Sequence, residues 1–226
     1  MQNSLIGVSL VDLDSSVADL SYNDVSVVGP AAWGGLIFLQ SFAGPIETPS
    51  SFLIQHNRIK ASGSYEDGIL ILDEGFLFGE GKTGDFVISN NEITIEPSQG
   101  TPAYAGIQTD FTVGTVISNN RIVGSGLFGI SVEGDTQAMV KANNLQKVTA
   151  DVAPIGLMTN LWFAPDLVLP TADSTVVGSG DKTNVFDEGI NNTLVGVNNM
   201  QGNPPGPAIR DAMKRKMEMI KSLRRP

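Results

Sequence analysis

The chain has 226 residues, of which 41% are hydrophobic and 17% charged, with 25 glycines, 12 prolines and no cysteine. This composition is typical of a folded chain rather than a disordered one, and the absence of cysteine excludes disulfides, thiol nucleophiles and cysteine-ligated metals. No apolar run of about 20 residues occurs, so the sequence predicts no membrane-spanning helix, and its first residues lack the pattern of a secretory signal.

The net charge of −10 is unevenly distributed. Residues 207–226 carry seven bases and two acids, a local charge of +5, so the other 206 residues sum to −15. Phosphate binding needs clustered Lys and Arg, so the acidic body argues against nucleic acid as a partner. We expect an extracellular or cell-surface location.

Two short elements alternate along the chain. The first is a glycine followed by alternating apolar residues, and it occurs at Gly7, Gly35, Gly68, Gly106, Gly129 and Gly156. The second reads apolar-x-x-Asn-x-apolar, and its anchors are Asn23, Asn57, Asn91, Asn120 and Asn144. The last element contains two consecutive asparagines, Asn143 and Asn144. We assign Asn144 as the anchor by aligning the apolar residue directly after it, which shifts the register by one residue relative to the other elements.

Each element has the length and the period of two of a β-strand with one face turned inward. A single repeat cannot bury that face alone, so the repeats should stack with their strands paired in parallel. Asparagine suits the corners between strands, and stacked asparagine amides can hydrogen-bond one another. An unpaired buried amide costs about 1–3 kcal/mol, so this asparagine ladder should be continuous.

These residues resemble the repeats of the right-handed parallel β-helix proteins of the pectate-lyase-like superfamily, over roughly residues 5–200. The resemblance implies an all-β solenoid of about six coils. The superfamily includes polysaccharide lyases, glycoside hydrolases, epimerases and phage tailspikes, so the fold does not choose an activity.

The predicted β-helix covers residues 1–203 and opens in mid-coil at Gly7. An open end exposes strand edges, so we expect either that the chain is a fragment of a longer protein or that a neighbouring subunit covers this end. Short strands at 174–177, 184–187 and 193–197 are interpreted as the last coil. Residues 204–226 are interpreted as a Pro/Gly linker and a basic amphipathic helix over 208–223, which either covers the last coil or packs on a subunit or an anionic surface.

Candidate chemistry lies in the glycine-led strands, where residues two and four after the glycine should point outward. Asp110 and Glu133 should then lie one coil apart, with carboxylates about 5 Å from each other. That spacing suits a retaining pair in glycoside chemistry or a site for a hard cation such as Ca²⁺. The alternative is a solvated acidic face without a role in chemistry. Candidate ligand-binding residues beside the pair are Tyr104, Gln108, Phe128 and Asn160.

Three classes of function remain open. The leading one is a non-catalytic module of a surface or secreted protein, acting as a rigid scaffold or binding a glycan. The second is a lyase or hydrolase whose partner is a polysaccharide held in the acidic groove. The third is an oligomeric fibre. The single histidine, His56, excludes a His-pair metal site, and no cofactor is expected apart from a possible Ca²⁺.

Overall fold

A computed structural model describes residues 6–11, 17–28, 34–40, 50–63, 67–73, 84–97, 103–160, 169–178 and 183–200. All regular elements in these ranges are β-strands, and no helix in them is long and apolar enough to cross a membrane. The linker and helix predicted over 204–226 lie outside the described residues.

The strands are short and follow one another closely, as the alternating elements predict. In chain order they are β1 (Ile6–Val11), β2 (Val17–Ser21), β3 (Asp24–Val28), β4 (Gly34–Gln40), β5 (Ser50–Gln55), β6 (Arg58–Gly63), β7 (Asp67–Asp73), β8 (Gly84–Ser89), β9 (Glu92–Pro97), β10 (Ala103–Asp110), β11 (Val116–Ser118), β12 (Arg121–Glu133), β13 (Met139–Lys141), β14 (Asn144–Asn160), β15 (Leu169–Pro170), β16 (Thr175–Val177), β17 (Asn184–Asp187), β18 (Thr193–Val195) and β19 (Asn198–Asn199).

These strands form two sheets in which each strand lies beside its equivalent in the neighbouring repeat. One sheet has the order β2-β5-β8-β11-β13-β16-β18. The other follows the glycine-led strands in the order β1-β4-β7-β10-β12-β14-β17-β19, and the strands β3, β6 and β9 join it beside the first part of β12. All these pairings are parallel, and the one antiparallel pair in the described part of the chain joins β14 to β15.

Asparagine amides connect successive repeats at the corner that follows the strands of the first sheet. Asn57 donates its backbone N–H and its Nδ2 to Asn91 Oδ1 at 3.0 and 2.9 Å, and Asn91 does the same to Asn120 at 3.0 and 2.9 Å. Asn23 donates to Asn57 in the same way, at 3.0 Å for both bonds. We call this series the asparagine column.

The fifth member of the asparagine column is Asn143, and the assignment of Asn144 is wrong. Asn120 donates its N–H and its Nδ2 to Asn143 Oδ1, both at 3.0 Å, while the Asn144 side chain is exposed. In every repeat the inward apolar residue comes two positions after the column asparagine, because alternate residues of a strand share a face. Leu145 holds that position after Asn143 and lies in the core.

The glycine-led strands carry glycine because they pass close to an inner side chain and to the backbone of the following repeat. A Cβ on Gly106 would lie 2.5 Å from Ile122 Cγ2 and 2.8 Å from the carbonyl oxygen of Gly129. The alignment of Gly156 with this position is wrong, because register shifts between β12 and β14 pair Gly156 with Ser131. Met158, not Asn160, therefore lies in the row of Glu133.

The core lies between the sheets and is built from stacked rows of isoleucine, leucine and valine. Its fully buried members include Ile54, Ile88, Ile107, Ile130 and Val132. In the first repeat Leu20 and Val25 pack against this core but are only partly buried. The inner face is thus covered by neighbouring repeats in the middle of the stack and less completely at its first strands.

The last strands belong to more than one repeat, which corrects their interpretation as a single coil. Strand β18 pairs with β16 in the first sheet, and β19 pairs with β17 in the second. The repeats are short here, with a spacing of 18 residues from Thr175 to its partner Thr193, and the residue that aligns with the column asparagines after β18 is Val197.

Candidate functional site

Strand β10 and the later parts of β12 and β14, residues 126–133 and 155–158, are buried on both faces. Ile107, Ile130 and Val132 belong to the core, whereas Tyr104, Phe128 and Met158 belong to a second apolar cluster. Polar side chains lie beside this second cluster, and we call them the buried acid cluster: Tyr104, Gln108, Asp110, Ser131, Glu133 and Asn160.

Asp110 and Glu133 are register partners on neighbouring parallel strands, so they lie one strand spacing of about 4.8 Å apart along the sheet. The pairing agrees with the sequence prediction. The expectation of a solvated acidic face is wrong, because Asp110 is 0% and Glu133 1% exposed.

Glu133 is held by two hydroxyl groups. Tyr104 Oη donates to Glu133 Oε1 at 2.5 Å, and Ser131 Oγ donates to the same oxygen at 2.7 Å. The other oxygen, Oε2, is buried and has no hydrogen-bond partner among the described residues. Glu133 is therefore positioned by neutral donors on one oxygen alone.

Asp110 is held by two amides. Gln108 Nε2 donates to both carboxylate oxygens, at 3.1 and 3.0 Å, and Asn160 Nδ2 donates to Oδ1 at 3.3 Å. Three of the four side chains predicted to bind a ligand, Tyr104, Gln108 and Asn160, thus hydrogen-bond the two candidate carboxylates. Ligand binding by these residues stays a prediction.

The aromatic side chains near the pair do not form an exposed stacking surface. The rings of Tyr104 and Phe128 pack at a centroid distance of 5.9 Å and an angle of 59°, and the two residues are 3% and 0% exposed. A sugar ring cannot reach their faces in this conformation.

The environment of Tyr104 keeps its hydroxyl protonated. Burial raises the pKa of Tyr104 well above its ordinary value, and the neighbouring Glu133 carboxylate raises this pKa further. A phenol in this state acts as a hydrogen-bond donor to Glu133, not as a base.

Asp135 is a buried acid that the sequence interpretation missed. It accepts bonds from Thr109 Oγ1 at 2.6 Å, from Thr112 N–H at 2.9 Å and from Thr112 Oγ1 at 2.7 Å. Burial raises the pKa of Asp135 to about 7, although the bonds from Thr109 and Thr112 act in the opposite direction. The one sequence signal is the glycine before Asp135, which is typical of a corner, and the structure places a corner there with a φ of 67° at Gly134.

The described part of the chain contains no group of three His, Asp or Glu side chains arranged to bind a metal ion. The possible Ca²⁺ site stays a prediction. What the buried acid cluster offers chemically is a pair of carboxylates held by hydroxyl and amide donors and closed to solvent.

Comparison with known proteins gives no relative: no protein-family model, curated protein or solved structure matches this chain.

Proposed function

We propose that this chain is a right-handed parallel β-helix of the pectate-lyase-like type and serves as a rigid, non-catalytic scaffold module of a surface or secreted protein. The parallel pairing of each strand with its equivalent one repeat away supports the architecture. The asparagine column supports the rigidity, since it joins five repeats through amide bonds that are buried except at the Asn23 end.

The observation that carries the non-catalytic part of the proposal is the closure of the carboxylate pair. A general acid or a nucleophile must reach the substrate, whereas Asp110 and Glu133 are 0 and 1% exposed. Their neighbours Gln108 and Ser131 are neutral and support a structural role for the pair.

The test is a product assay on a panel of neutral and acidic polysaccharides, with detection of new reducing ends and of unsaturated sugars. We expect no product from the wild-type chain, with or without added Ca²⁺. If a glycan array detects binding while no product forms, the chain is still a non-catalytic module. Its role is then to bind a glycan rather than to act as a rigid spacer.

The proposal fails if the wild-type chain releases product and Asp110→Asn and Glu133→Gln both abolish that release. The matched control is Glu96→Gln, because Glu96 is an exposed acid that forms an ion pair with Lys60 at 3.0 Å, away from the buried acid cluster. Loss of turnover in the two buried variants but not in this control would assign catalysis to the pair.

A further inference from the structure

Two side chains of the buried acid cluster, Gln108 and Ser131, carry groups that can react with each other. They are register partners on the parallel strands β10 and β12, so their backbones lie about 4.8 Å apart and their side chains leave the same face of the sheet. Both residues are fully buried. A carboxamide and a hydroxyl group are therefore held side by side in a place that solvent does not reach.

Each of these two groups is hydrogen-bonded to its own carboxylate. Ser131 Oγ donates to Glu133 Oε1 at 2.7 Å, so the hydroxyl group lies within reach of a base, as an activated serine requires. Gln108 Nε2 donates to the two oxygens of Asp110 at 3.1 and 3.0 Å. A negative charge is thus placed at the nitrogen, which is the atom that leaves when a carboxamide is converted to an ester.

We propose that the chain modifies itself here by forming an ester bond between Ser131 Oγ and the side-chain carbonyl carbon of Gln108. Glu133 takes the proton of the hydroxyl group as Oγ attacks this carbon, and the same proton then passes to the amide nitrogen. Asp110 stabilises the positive charge that develops on the nitrogen. The C–N bond breaks, one molecule of ammonia leaves, and Glu133 is a carboxylate again. The step needs no oxidant, reductant or cofactor.

The closure of the buried acid cluster favours the ester over hydrolysis. Water is the competing nucleophile for a carboxamide and would also cleave a finished ester, and burial excludes it from both. The encounter of the two groups is intramolecular, because neighbouring strands hold them in place. The bond forms once per chain, links β10 to β12, and needs no substrate from outside. Its formation does not depend on whether the chain binds or cleaves a polysaccharide.

Intact-mass spectrometry of the whole purified chain under denaturing conditions tests the proposal. We expect the wild-type chain to weigh less than its sequence by the mass of one ammonia molecule. Ser131→Ala lacks the nucleophile and Gln108→Ala lacks the carboxamide, so each should have its full sequence mass. Ser118→Ala is the matched control, because Ser118 is a buried serine of β11 outside the cluster, and this variant should show the same loss of ammonia as wild type.

Peptide mapping distinguishes the ester from other losses of ammonia, such as cyclisation of an asparagine or of an N-terminal glutamine. Trypsin cleaves after Arg121 and so separates residues 83–121, which contain Gln108, from residues 122–141, which contain Ser131. In the wild-type chain we expect these two peptides to stay joined, and hydroxylamine should release them because it cleaves esters.

The role of Glu133 is tested by the fraction of chains that carry the bond. Glu133→Gln removes the base and should leave most chains at their full sequence mass, whereas Ser131→Thr keeps a hydroxyl group and should still form the bond. A wild-type chain of full sequence mass, or a loss of ammonia that persists in Ser131→Ala, would overturn the proposal. If Ser131→Ala does not fold by circular dichroism, the wild-type peptide map decides, and two separate peptides would overturn the proposal.

Discussion

Asn91 Oδ1 receives two hydrogen bonds from a single residue, Asn57, whose backbone N–H and Nδ2 lie 3.0 and 2.9 Å away. Asn91 Nδ2 donates in turn to the Ile54 carbonyl at 2.8 Å. One side chain therefore satisfies polar groups of strand β5 and of the corner that follows it, and both Asn57 and Asn91 are buried.

The first prediction concerns this residue. Asn91→Ala leaves the donors of Asn57 and the Ile54 carbonyl without their partner, and each buried unsatisfied group costs about 1–3 kcal/mol. We expect a loss of at least about 3 kcal/mol in the free energy of unfolding, measured by urea denaturation. Asn23→Ala is the control at the exposed end of the column and should cost less than half as much. Equal losses would contradict the role given to the buried amides.

The second prediction concerns pH. The pKa of Asp135 is raised to about 7 in the folded chain from an ordinary 3.8, so between these values the folded state holds a proton that the unfolded state has released. The contribution of Asp135 to stability is complete below the unfolded pKa and is lost as the pH rises to about 7. The slope expected from this group is about 1.4 kcal/mol per pH unit.

Urea unfolding of the wild type and of Asp135→Asn across this pH range isolates the effect, because the other acids contribute equally to both chains. The difference between the two free energies should change steadily from pH 4 to pH 7 and then level off. Parallel pH profiles would show that Asp135 is not the buried acid described here.

The third prediction concerns the glycine-led strands. Gly106→Ala places a Cβ 2.5 Å from Ile122 Cγ2 and 2.8 Å from the Gly129 carbonyl oxygen, so the strands must move apart. We expect a loss of about 1–3 kcal/mol, seen as a lower urea midpoint. Gly126→Ala is the control, because its nearest contacts are at 3.2 Å and need only a small displacement. A Gly126→Ala variant as unstable as Gly106→Ala would contradict this explanation of the repeated glycine.

The fourth prediction concerns Tyr104 and Glu133. Since the Glu133 carboxylate contributes to the raised pKa of Tyr104, Glu133→Gln should lower this pKa. Alkaline ultraviolet titration measures tyrosinate formation, and one of the chain's three tyrosines should titrate at lower pH in the variant. Tyr22→Phe should leave that transition in place, because Tyr22 is 78% exposed and stacks on His56 instead.

Much of the fold could be predicted from the sequence because the repeats are regular where the strands are stacked. Asn23, Asn57 and Asn91 recur at a spacing of 34 residues, and the residue two places after each is apolar. The error at Asn144 arose because two asparagines are consecutive at this corner. The column residue is the asparagine two positions before the inward apolar residue, not the one directly next to it. The error at Gly156 arose from register shifts in β14, which the sequence does not mark.

The candidate site was less predictable. The strand period placed Asp110 beside Glu133, since register follows from aligned repeats. Their burial was not predictable, because outward residues of a strand are solvated unless other parts of the chain cover them. Asp135 was missed for a related reason: a corner acid resembles a surface acid unless the threonines of the preceding repeat are known to surround it.

The central claim, that the carboxylate pair is closed to solvent and therefore structural, is tested most directly by carbodiimide labelling of the folded chain read by mass spectrometry. We expect exposed acids such as Asp24 and Glu96 to be modified rapidly. Asp110 and Glu133 should be modified only after unfolding in urea. Modification of Asp110 and Glu133 in the folded chain at the rate of Glu96 would contradict the claim.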